Sequence, residues 1–115
     1  MQDLAFTATE KSTAIVTVTL RDENGEVISA PSITSFKWSL MDSAEVYIND
    51  REEVVVATPT NPQIIVLSGV DLDFTEGTDN GIRIILVEAL YDSSYGNGLP
   101  INAAASFSIS ELMGV

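Results

Sequence analysis

Residues 81–109 constrain the fold more than any other stretch of the chain. Ile82-Arg83-Ile84-Ile85-Leu86-Val87-Glu88-Ala89-Leu90-Tyr91 is apolar on both of its alternating faces. A Gly-, Ser- and Asn-rich segment follows over residues 92–100, and Ala105, Phe107 and Ile109 then alternate with Ser106 and Ser108. Period-2 alternation on either side of a turn-rich segment predicts two strands joined by a long hairpin loop. An ordinary half-buried strand needs one apolar face. Residues 82–91 have two: Ile84, Leu86 and Leu90 around Glu88, and opposite them Ile85, Val87, Ala89 and Tyr91. The second face implies a cover, either a loop of the same chain or a partner subunit.

The rest of the chain has the same grain. Leu4, Phe6 and Ala8 share one face of a first strand. Ala14, Val16, Val18 and Leu20 alternate with Thr13, Thr17 and Thr19, apolar inside and Thr outside. Asn24-Gly25 supplies a tight turn into a short return at Val27-Ile28. Ile33 to Asp42 reads as a strand with Phe36, Trp38 and Leu40 inward, the only Trp taking a central core position. Short strands are expected at Val46-Tyr47-Ile48, at Val54-Val55-Val56-Ala57 and, after the break at Pro59 and Pro62, at residues 63–67. The longest polar connection, residues 68–81, carries Leu72 and Phe74 as apolar anchors. Seven or eight short strands with no sustained helical period make an all-β sandwich, one domain over residues 1–115.

Composition narrows the function. There is no Cys and no His, so disulfides, thiolate sites, the usual nucleophilic triads and the commonest general base are all missing. No set of nucleophile, base and charge stabiliser can be assembled, and the chain reads as a non-enzyme without cofactor. Net charge is −12, and the five basic residues, Lys11, Arg21, Lys37, Arg51 and Arg83, are scattered. That excludes a phosphate-tracking stripe and argues against nucleic acid and anionic membranes as partners. No signal peptide or membrane-length apolar run is visible, so synthesis in the cytoplasm is expected.

Three stretches offer candidate sites. Asp71, Asp73, Glu76 and Asp79 place carboxylates at spacings that could hold Ca²⁺ through hard oxygen ligands, without the helix-loop-helix pattern; a solvated loop is the plainer account. Residues 92–100, with Tyr91 and Tyr95, have the composition of a recognition loop, of use for a glycan or host surface. Partner contacts are expected at Ile84, Leu86 and Leu90, at Tyr95, and on the apolar tail at Leu112 and Met113.

The order of signals resembles an immunoglobulin-like or fibronectin-III-like domain. Val87-Glu88-Ala89-Leu90-Tyr91, a Gly-rich loop and Ala105-Ser106-Phe107-Ser108-Ile109 resemble the last hairpin of such domains. The Cys pair of antibody domains is missing, and Trp38 on the third strand suits the immunoglobulin pattern better than the fibronectin one. A narrower resemblance runs over residues 33–112, through Trp38-Ser39-Leu40-Met41-Asp42, Val46-Tyr47-Ile48-Asn49-Asp50-Arg51, Leu67-Ser68-Gly69-Val70-Asp71-Leu72 and Tyr91-Asp92-Ser93-Ser94-Tyr95-Gly96-Asn97-Gly98-Leu99-Pro100 to Phe107-Ser108-Ile109. These stretches resemble small single-domain structural proteins of tailed bacteriophages. The resemblance implies a virion accessory protein: a capsid decoration or cement protein on the head shell, or a neck or tail component. Its partners would be shell or tail proteins and sister subunits.

Overall fold

Every strand that the alternation defines clearly is present in the computed structural model, which describes residues 2–73 and 81–110, the first strand up to residue 6 by its backbone alone. The strands are β1 (Gln2–Thr9), β2 (Thr13–Val18), β3 (Ile33–Asp42), β4 (Val54–Val55), β5 (Gln63–Ser68), β6 (Ile82–Ser93) and β7 (Gly96–Ser110). Two single 3₁₀ turns, Ala30–Ser32 and Gly69–Leu72, complete the described elements. β1-β7-β6-β3-β4 form one sheet and β2-β5 the other. All pairings are antiparallel except β1 with β7.

The core lies between the two sheets because each strand turns its apolar residues the same way. In register across the larger sheet sit Phe36, Ala89 and Ile101, then Trp38, Val87 and Ala103, then Leu40, Ile85 and Ala105. Ala14, Val16, Ile65 and Leu67 close over them from the smaller sheet. Phe36, Leu40 and Leu67 have no exposed surface. Truncating Phe36 to Ala would cost about 3–5 kcal/mol.

Four expectations change. The 92–100 stretch is not an open loop. β6 runs on to Ser93 and β7 starts at Gly96, with Ser93 opposite Gly96, so only Ser94 and Tyr95 form the tip. Asp92 Oδ1 accepts the Gly98 N–H at 2.8 Å and Ser93 Oγ accepts the Tyr95 N–H at 3.1 Å, tying turn-forming residues into a ladder. Residues 46–48 make one bridge, Met41 to Tyr47, because the left-handed residues Glu45, Asn49 and Asp50 bend the chain on both sides. Val27 likewise makes one bridge, to Arg21, around a turn in which Asp22 Oδ1 accepts the N–H groups of Asn24 and Glu26. Of the expected strand at residues 54–57, only Val54–Val55 is strand, with the Val56 N–H donating to the Phe36 carbonyl one step further along.

Side chains take over where ladders stop. Asn61 accepts the Leu20 N–H and donates to the carbonyls of Leu20 and Ile28 at 2.7–2.9 Å, so one amide stitches three segments. Arg83, fully buried, shares the inner register of β6 with Ile85 and donates to the carbonyls of Ile82 and Asp73. The expected anchor Leu72 is fully buried, whereas Phe74 lies outside the described residues.

Candidate functional site

The two faces of β6 meet different fates. Ile85, Val87, Ala89 and Tyr91 are buried against the smaller sheet. On the outer face exposure rises along the strand after Ile84. Ile84, 9% exposed between Met41 and Ser106, is closed off within its own chain, which removes it from the expected contact residues. Leu86 is half-buried between Ser39 and Ala104, and Leu90 reaches 38% exposure between Ser35 and Pro100. Val55, opposite Lys37 on the edge strand β4, is 73% exposed.

A single ion cluster interrupts this face. Lys37 Nζ lies 3.0 Å from Glu53 Oε1 and 4.0 Å from Glu88 Oε2. The hydrogen bond and charge of Glu53 raise the Lys37 pKa above the ordinary lysine range. Buried Ser39 accepts the Glu53 N–H through its Oγ and fixes the backbone that presents that carboxylate. Ser35, Lys37, Glu88, Leu90, Pro100 and Asn102 line a shallow hollow of about 320 Å³. The surface thus combines exposed aliphatic side chains with one cluster of three charged groups.

The hairpin tip keeps one aromatic. Tyr95 is 74% exposed. Tyr91, expected beside it in a recognition surface, is buried, and its hydroxyl donates to Glu23 Oε2 at 2.8 Å while Ser93 Oγ donates to Glu23 Oε1 at 2.9 Å. Hydrogen bonding from its own backbone, then from Tyr91 and Ser93, holds the Glu23 carboxyl below the usual glutamate range. Tyr91 therefore pins the Asn24-Gly25 turn to β6 and is not available to a ligand.

The acidic set also separates. Asp71, fully buried, accepts from Arg51 Nε at 2.9 Å and Asn49 Nδ2 at 2.9 Å on Oδ1, and from the Ser68 N–H at 3.1 Å on Oδ2. Both oxygens are thus engaged by donors of the chain itself, and Asp71 serves as a structural carboxylate. Asp73 lies 4.0 Å from Lys11. Glu76 and Asp79 lie outside the described residues, as do the expected contacts Leu112 and Met113. Both lysines of the chain face carboxylates, Lys11 at Asp73 and Lys37 at Glu53.

Two surface features escaped the sequence reading. An apolar groove of about 200 Å³ opens between β2 and β7, with Val16, Val18, Ile85, Ile101, Ala103 and Ala105 on its walls. It exists because β1 pairs with β7 only from Ala105 onward. Ile15, Ile64 and Val66 stand 54–59% exposed on the outer face of the smaller sheet. Ile15 shares the outward register of Thr13 and Thr17, the signal that could have found it.

No family model matches the chain, and no curated protein or solved structure is significantly similar to it. No helix among the described residues is long and apolar enough to cross a membrane.

Proposed function

We propose that this protein acts by adhesion, as a non-enzymatic, immunoglobulin-like β-sandwich of a tailed-phage virion that decorates or cements the head shell. A neck or tail position is the alternative. The observation that carries the reading is the outer face of β6, where Leu86 and Leu90, with Val55 and Pro100 nearby, leave aliphatic surface that the described chain does not cover. The strand order supports the immunoglobulin-like part. β7-β6-β3-β4 and β2-β5 correspond to the G-F-C-C′ and B-E groupings of such domains. The virion part rests on the resemblance over residues 33–112. Stable attachment requires a total interface of about 1,200–2,000 Å², and repetition over a lattice multiplies a modest contact into avidity.

The test is co-sedimentation with phage particles assembled without the protein. Wild type is expected to pellet at a fixed ratio to the shell subunit, whereas Leu86→Lys and Leu90→Lys stay in solution at an unchanged melting temperature. Failure of wild type to pellet, or equal pelleting of the variants, overturns the reading. A glycan-binding role would rest on Tyr95 alone, and Tyr95→Ala is expected to leave particle binding intact.

A further inference from the structure

We propose that the outer face of the β2-β5 sheet is a self-association surface that seats a second copy of this chain across a two-fold axis. The inference is independent of the adhesion reading, which uses the opposite face of the sandwich.

Three observations converge on it. First, Ile15 and Val66 are cross-strand partners and Ile64 faces Thr17 one step along, so three β-branched aliphatics more than half exposed lie side by side. Second, the surface carries no charge. The chain holds five basic and 17 acidic residues, yet none falls in residues 12–20 or 54–70, which contain both strands. Third, both edges of the ribbon are open, since β2 and β5 pair only with each other among the described strands. The Gly69 N–H donates to the Ser12 carbonyl, and the Ser68 N–H turns away to Asp71. This fixes the phase of the antiparallel ladder. Ile15, Ile64 and Val66 thus direct their backbone groups to the open edges, with none of the Lys or Pro that usually blunts an edge.

The charge pattern selects the occupant. At a net charge of −12, two copies repel wherever their acids approach. The other outer face would bring Lys37, Glu53 and Glu88 into contact with their own kind. A basic partner would gain nothing from a neutral ribbon when acidic surface is available elsewhere. The neutral aliphatic ribbon is self-complementary: two such faces meet isologously while both acidic bodies stay apart. Its size sets the strength. Two six-residue strands cover about 20 Å by 10 Å, well short of the ~800 Å² per partner of a standard interface. The dimer is therefore reversible and concentration-dependent.

Mass measured by light scattering and sedimentation velocity on the full chain tests this. Wild type is expected to move from 12.3 kDa toward twice that mass as concentration rises. Added NaCl should strengthen the association by screening like charges. Val66→Lys should weaken it at least tenfold, and the near-isosteric Val66→Thr, which preserves strand propensity, should weaken it without loss of fold. Leu90→Lys, on the opposite face, should dimerise like wild type even where it abolishes particle binding, so the two readings fail separately. A wild-type mass that stays monomeric at every concentration and salt overturns the proposal. So does association that weakens with salt, or equal dimerisation of folded Val66→Thr.

Discussion

Asp71 shows how one side chain can decide the geometry of a loop far from it in sequence. It gathers Arg51, Asn49 and the Ser68 amide, and the Arg51 guanidinium also lies over the Trp38 ring, 5.8 Å from its centroid. Burial works against its charged form, but the donors from Arg51, Asn49 and Ser68 outweigh it, and the carboxyl sits below the usual aspartate range. The sign follows: stability from Asp71 is fully present above its unfolded pKa and disappears as pH falls through the depressed folded one. Asp71→Ala strands a guanidinium whose side chain keeps 37% exposure, so the loss is expected at about 2–3 kcal/mol, below that of a fully buried broken pair because water reaches the arginine. Urea unfolding at neutral pH measures it, and the difference from wild type should shrink in acid. None of this was legible beforehand. Spacing revealed an acidic cluster around Asp71, but not which carboxylate was already bonded to an arginine 20 residues away. Arg83 was similarly opaque: it falls in the inner register of β6 and is fully buried, where a charged side chain is rarely found.

At the level of the element, β2, β3 and β5 were readable because burial on one face imposes period 2 on the sequence, β1 from its alternation alone, and β6 from a run too long and too apolar to be a loop. The ends of the final hairpin were not. Gly96, Asn97, Gly98 and Pro100 are turn formers by local preference, yet pairing of Tyr91 with Leu99 and Leu90 with Pro100 draws them into β7. Long-range pairing outweighed local preference there. Gly98 still needs its freedom, with φ at +65° and open space around the position of a side chain. Gly98→Ala is accordingly expected to cost about 1–2 kcal/mol through backbone conformation alone. Loss of amide protection confined to the hairpin tip would accompany it, read by hydrogen exchange.

For the whole molecule, the sequence indicated two layers but not their unequal width. Five strands face two, so part of the inner surface of β7 looks into the groove beside β2. Ala103, in register with buried Val87, is exposed for this reason. Ala103→Val adds apolar volume and β propensity where the groove has room. It is expected to raise stability by about 0.5–1 kcal/mol, seen as a higher denaturation midpoint at an unchanged slope; a lower midpoint would mean that the groove is narrower than described.

The long final hairpin has one more consequence, a hydrodynamic one. The molecule measures 54 × 24 × 21 Å with a radius of gyration of 15.3 Å, against about 13 Å for a compact chain of this length. Such a rod drags more than a sphere of equal mass. On a column calibrated with globular standards, a single copy will elute as a heavier particle, and its frictional ratio will reveal elongation where its elution volume suggests a pair.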